Sequence, residues 1–180
     1  MTSIVRHADA AETWWHEMPA LGLAQVLELS PLHRHTTPDH TLEVWEHATY
    51  GRVLTVDGIL RLATAEPALP EMWVHVPLAS RLRESTSVLI CGAASGLLPE
   101  VLRHPGVNRV VVVESEPSIV ELLVAWFGHA SAFADPRVEV LVAPPAGSER
   151  FDVMLLDPLS GDPLWVDGLA ASLAEDGVAV

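Results

Sequence analysis

The stretch VLICGAASG, Val88 to Gly96, constrains the fold more than any other: an apolar run enters a small-residue turn that holds glycines at both ends. A buried strand feeding a tight glycine turn and then a helix is the opening unit of a parallel α/β sheet. The chain around it continues the alternation. Apolar runs at Val88–Cys91, Arg109–Glu114, Val138–Val142 and Phe151–Asp157 read as strands, and helical patterns fall at Glu71–Arg83, Leu97–His104, Ser118–Gly128 and Trp165–Glu175. Helices between strands imply right-handed crossovers. The closing AEDGVAV reads as a helix stopped by Asp176-Gly177 and a further buried strand just beginning. The sheet is therefore expected to be unfinished at that edge, cut short or covered by a partner.

The first half has a different texture. TLEVWEHATYGRVLTV, Thr41 to Val56, gives two extended runs around Gly51, and Asp57-Gly58 is a strong turn signal before ILRLAT. A small antiparallel β-domain over residues 1–66 follows, joined by the proline-rich EPALP at 66–70 to an α/β domain over 67–180.

Within the second domain, Gly92 and Gly96 suit a turn that brings backbone N–H groups and a helix start close to a ligand. Twenty-two positions after Gly92 comes Glu114, at the end of the next strand, where a carboxylate can accept hydrogen bonds from both hydroxyls of a ribose. The alternative is that Ala93, Ala94 and Ser95 merely let the helix pack on the sheet. Asp157 ends the fourth strand and should face the same crevice, either as a general base or in a capping and turn role beside Pro158.

Composition narrows the chemistry. All ten basic residues are arginine, which excludes lysine Schiff bases, pyridoxal-phosphate chemistry and the phosphate-binding P-loop. A formal charge of −14 argues against a nucleic-acid surface and permits, without indicating, a cationic small molecule. Cys91 is the single cysteine, so no intrachain disulfide or paired-cysteine metal site exists, and a reducing, cytoplasmic setting fits. No stretch has the form of a signal peptide or the length of a membrane span, so the chain reads as soluble. His33, His35, His40 and His47 lack the spacing of a metal set, and no metal is expected. Large aromatics such as Trp14, Trp15, Trp45 and Trp73 read as core or interface residues, and no Gly-x-Ser-x-Gly element supports a hydrolase.

In order and spacing, Trp15-His16-Glu17, Tyr50-Gly51-Arg52-Val53-Leu54, Val56-Asp57-Gly58, Glu71-Met72 and His75-Val76-Pro77-Leu78 form one series. It continues through Gly92 and Gly96, Glu100-Val101, Val113-Glu114, Asp135-Pro136-Arg137 and Phe151-Asp152-Val153 to Asp157. The whole series resembles the spermidine synthase family of polyamine aminopropyltransferases. The resemblance implies an N-terminal β-domain on a Rossmann-like, class I methyltransferase fold, a dimer, and binding of decarboxylated S-adenosylmethionine and an amine. It also implies that Glu114 holds the ribose and that Asp157 takes a proton from the attacking amine.

The departures fall where the resemblance places ligands. The family's Gly-Gly-Gly-Asp-Gly turn is Gly92-Ala93-Ala94-Ser95-Gly96 here, so its aspartate is Ser95, or Ala94 in an ungapped register. A second carboxylate is replaced by Pro144, a Tyr-His pair by Leu69-Pro70, and a glutamine by His40, while Asp-Ser-x-Asp-Pro is reduced to Asp157-Pro158-Leu159-Ser160. Each lost charge-assisted bond removes about 1.5–3 kcal/mol. Three expectations follow: aminopropyl transfer with altered or weakened ligand specificity, a non-catalytic structural or regulatory family member, or a methyltransferase using S-adenosylmethionine in the same turn. Gly92, Ser95, Gly96 and Glu114 are the candidate nucleoside contacts in all but the second.

Overall fold

The structure is a computed structural model that describes residues 3–6, 13–20, 23–66, 68–81, 85–145, 149–157 and 169–180. It divides into two compact units, Met1–Pro67 and Ala68–Val180.

The first unit is one antiparallel meander of six strands in chain order: β1 (Ser3–Arg6), β2 (Thr13–Ala20), β3 (Leu23–Thr36), β4 (Thr41–His47), β5 (Gly51–Val56) and β6 (Ile59–Ala63). The two hairpins read from the sequence are present. Asp57 and Gly58 both take positive φ, 53° and 76°, and Val56 pairs with Ile59, which makes them the two-residue loop whose twist matches its strands. β3 serves two partners: Leu23 to Leu29 pair with β2 and Ser30 to Thr36 with β4, with an irregularity between Pro31 and His33. Leu27, Leu29, Trp45, Val53 and Ala63 form the core of this unit, and the Trp45 indole N–H donates to the buried Thr55 hydroxyl at 3.0 Å.

The second unit carries α1 (Ala68–Ser80), β7 (Thr86–Cys91), α2 (Leu98–Leu102), β8 (Val107–Val113), α3 (Pro117–Trp126), α4 (Ala130–Phe133), β9 (Val138–Leu141), β10 (Phe151–Leu156) and β11 (Leu173–Ala179). All four strand pairings are parallel, in the order β11-β10-β7-β8-β9. The runs Val88–Ile90 and Val110–Val113 are buried throughout, as strands covered on both faces must be. Leu89, Cys91, Val111, Val113, Phe151, Met154 and Leu169 pack one side of the sheet. The architecture is the Rossmann-like α/β sheet with an antiparallel β-domain that the sequence suggested.

Two expectations are corrected. Leu173, Ala174 and Glu175, read as the end of a helix, belong to β11, and Asp176-Gly177 lies inside that strand where it should have ended a helix. Pairing with β10 overrides helix propensity here, with Leu173 beside Phe151, Val178 beside Val153 and a bulge between them. Gly177 suits that bulge, since a Cβ there would come within 2.7 Å of Leu173 Cδ1. The strand at the C-terminal edge therefore forms, partly exposed and not buried. Residues 68–70, read as linker, are the first turn of α1, where Pro70 costs no hydrogen bond. Of the rest of the helix expected from Trp165, Ala170–Ser172 form a short 3-10 turn, while residues 165–168, the Arg83 end of the first helix, Pro67 and Pro158-Leu159-Ser160 lie outside the described residues.

Candidate functional site

β7 is the point at which the strand order reverses, since the chain goes next to β8 on one side and later to β10 on the other. In such sheets the crevice beyond the carboxyl ends of the strands accepts ligands. Register brings Leu156, Cys91, Val113 and Leu141 into one row. The residues immediately after them, Asp157, Gly92 and Glu114, are thereby placed side by side. The row extends past the strand ends, because the Asp157 N–H donates to the Cys91 carbonyl at 2.9 Å and the Gly92 N–H to the Val113 carbonyl at 2.9 Å.

The turn is held in a conformation that uses both glycines. Gly92 has φ 92° and Gly96 φ 70°, in the left-handed region where a side chain is strained. The Gly96 N–H donates to the Ala93 carbonyl at 3.0 Å, which closes the turn before α2.

Glu114 is the organising group. Its side chain is buried, with only 3% of the residue exposed. Oε2 accepts from the Ala93 N–H at 2.8 Å and Oε1 from the Glu116 N–H at 3.0 Å. One carboxylate thus ties the β7 turn to the loop after β8, each bond strengthened by the charge. Glu116 in turn caps α3 by accepting from the Ser118 N–H at 3.1 Å, with Pro117 at the first helical position. This structural duty of Glu114 was not read from the sequence. The available signal was Glu-Ser-Glu-Pro, an acid two residues before a helix cap, in which a carboxylate can reach a backbone N–H two positions on.

Ser95 is 7% exposed, and its Oγ is buried with no hydrogen-bond partner among the described residues. Native structures rarely leave such a group unpaired, and an orphaned hydroxyl within a glycine turn fits one that meets a polar group of a ligand. Asp157 is also 7% exposed and stands beside the turn at the end of β10. Cys91, one residue before the turn, has its thiol pushed up to about 12 by burial, so it is a core residue and no nucleophile. The structure therefore brings Gly92, Ser95, Gly96, Glu114 and Asp157 to one end of one sheet. His40 lies in the other unit, where its Nδ1 is 2.7 Å from the Asp57 carboxylate, and Pro144 follows β9. Among the described residues no group of histidine, cysteine and carboxylate side chains has the arrangement of a metal site, and no helix is long and apolar enough to cross a membrane.

Residues 66–147 match the family described as the spermine/spermidine synthase domain. The polyamine aminopropyltransferase of Sodalis glossinidius (strain morsitans) is 32% identical over 152 residues, covering 79% of this chain and 53% of the relative. That of Pectobacterium atrosepticum is 30% identical over 183 residues, covering 92% of this chain and 64% of the relative. The chain thus spans between about half and two thirds of the length of these curated relatives. Among solved structures, the spermidine synthase of Thermotoga maritima superposes with a TM-score of 0.80 at 23% identity, covering 98% of this chain and 64% of that one. A spermidine synthase in complex with the transition state analogue AdoDATO gives 0.79 at 24% identity, covering 92% and 61%. At those identities the structural likeness speaks for the fold, and the sequence matches speak for descent. Together they establish that this chain belongs to the spermidine synthase family of polyamine aminopropyltransferases.

Proposed function

We propose that this chain binds an S-adenosyl-type nucleoside at the carboxyl end of β7 and β8 and carries the residues for aminopropyl transfer from decarboxylated S-adenosylmethionine to an amine. The single observation that supports it best is the Glu114 carboxylate, buried, pinned by the Ala93 and Glu116 N–H groups and set in one row with the turn and Asp157. Two backbone donors hold it oriented, and a carboxylate offers about four lone-pair sites, more than those two donors occupy. A ribose diol meets such a group with two hydroxyl donors. Gly92 and Gly96 permit the close approach, and the Ser95 hydroxyl, which bonds to no group among the described residues, supplies one more polar contact.

In the reaction, the amine nitrogen forms a bond to the methylene next to the sulfonium, the carbon–sulfur bond breaks, and methylthioadenosine leaves. The ammonium formed passes a proton to Asp157. The turn presents Ala93, Ala94 and Ser95, none of them charged, so it contributes no anion to select a cationic substrate. We assign the chain a weakened preference among charged and neutral nucleosides on that ground.

Calorimetric titration with decarboxylated S-adenosylmethionine, S-adenosylmethionine and methylthioadenosine tests the binding, and a transfer assay with a diamine tests the chemistry. Asp157→Asn is expected to stop transfer while nucleoside affinity stays within about twofold of the parent, since it removes a base and keeps the shape. Absence of binding by all three nucleosides would refute the proposal and leave a non-catalytic family member. Transfer of a methyl group alone would make the chain a methyltransferase.

A further inference from the structure

His75 on α1 and His104, just after α2, meet ring to ring in the second unit. Nδ1 of His75 lies 2.7 Å from Nε2 of His104, and the ring centroids are 4.9 Å apart at a tilt of 49°. On its other edge His75 places Nε2 3.1 Å from Glu100 Oε2. Arg103 Nη1 contacts the same Glu100 oxygen at 2.7 Å and approaches Glu71 Oε1 at 3.9 Å. The charged groups that α1 and α2 bring to the pair are therefore Glu71, Glu100 and Arg103, and from between α4 and β9 the Arg137 guanidinium, paired with the Asp135 carboxylate, donates to the Leu102 and Val107 carbonyls on either side of His104. β10, which also packs on α1, carries Asp152, whose carboxylate is taken by the Ser87 N–H and hydroxyl at the far end of the sheet.

A nitrogen–nitrogen hydrogen bond needs one N–H and one lone pair. With both rings neutral, His104 donates to His75 or the reverse, and the bond holds. With one added proton the bond still holds, since His75 can donate to Glu100 on one edge and to His104 on the other. A second proton puts two N–H groups face to face, and the bond becomes a repulsion. His104 resists that proton, its affinity lowered by burial, by His75 and by Arg103, against a smaller opposing effect of Glu100.

We infer that His75 and His104 form a latch that fastens α1 to α2 while the pair carries at most one added proton and opens on the second. The consequence for ligand binding rests on the nucleoside reading above: α2 begins at Leu98, directly after the Gly92–Gly96 turn, so the latch steadies the helix that continues that turn. α1 is held elsewhere by its buried Val74, Pro77 and Leu78, so the latch concerns its contact with α2 alone.

The test follows the imidazole signals of the whole chain by NMR from about pH 8 to about pH 5.5, with methylthioadenosine affinity at both ends. His104 should titrate below its ordinary value of 6.5 and move back toward it in His75→Gln. A His104 titration that His75→Gln leaves unchanged overturns the latch. Methylthioadenosine should bind about fivefold more weakly at the acid end, with that dependence lost in His104→Asn. Equal affinity at both ends, or a dependence that survives His104→Asn, overturns the coupling. If the nucleoside binds at neither pH, the nucleoside reading fails and amide exchange of α1 and α2, corrected for its intrinsic pH dependence, decides the latch: protection lost at the acid end supports it and unchanged protection refutes it.

Discussion

Replacing Glu114 by glutamine keeps the size of the side chain and changes only its chemistry, so it isolates the clamp. Of its bonds to Ala93 N at 2.8 Å and to Glu116 N at 3.0 Å, the amide oxygen can preserve one. The other backbone N–H then faces an N–H₂ donor in a site where Glu114 is only 3% exposed. Loss of a bond to a charged group is worth about 1.5–3 kcal/mol. For a chain of this length each kcal/mol moves the melting temperature by about 2–4 °C, so Glu114→Gln should melt roughly 3–12 °C below the parent. Scanning calorimetry of parent and variant reads this directly. The same variant separates structure from recognition. If a ribose hydroxyl also donates to this carboxylate, methylthioadenosine should bind about 10- to 150-fold more weakly, the same 1.5–3 kcal/mol expressed in affinity. An unchanged melting temperature refutes the clamp. A lowered one with unchanged affinity removes Glu114 from the ribose site and leaves it a purely structural acid.

Gly51 begins β5 with φ +66°, and a Cβ there would overlap the Thr64 hydroxyl, which itself accepts from the Arg52 N–H; Gly51→Ala should cost about 1–2 kcal/mol from backbone strain alone, measured by urea denaturation. Asp135 holds Arg137 by side-chain and backbone bonds, which lower its carboxyl from 3.8 to about 2. A folded value below the unfolded one means that the unfolded chain binds the proton first. This stabilisation is full above about pH 4 and is lost as pH falls through about 2. Asp135→Asn should therefore flatten the acid limb of the stability profile in that window and leave its slope near neutral pH unchanged.

What the sequence disclosed follows from how local the causes are. The strand-and-turn pattern is written in contiguous residues, so Val88–Cys91, the turn after it and the Asp57-Gly58 hairpin are legible without any tertiary information. β11 is not local. Leu-Ala-Glu prefers a helix, and only the open edge of β10 turns Leu173–Ala179 into a strand. α4 has the same excuse of size: four residues, Ala130–Phe133, give no period to read. The positions of the candidate residues at the strand ends were legible individually, because the ends of apolar runs can be counted. Their mutual bonds were not, since they depend on which strands become neighbours.

That distinction also separates the duties of the residues at the sheet end. Glu114 serves the fold as well as any ligand: remove its carboxylate and two backbone N–H groups at the sheet end lose their acceptor. Position 95 has no such duty. Ser95 Oγ bonds to no group among the described residues, and the turn is closed by the Gly96 N–H to the Ala93 carbonyl without it. A charge at 95 would contribute only to ligand binding, so exchanging it for a hydroxyl leaves the turn's geometry intact. Pro144 likewise follows β9 without a role in the sheet's ladder. Glu114→Gln should accordingly lower the melting temperature, whereas Ser95→Ala should leave it within about 1 °C of the parent, the change expected when a hydroxyl that makes no bond is removed.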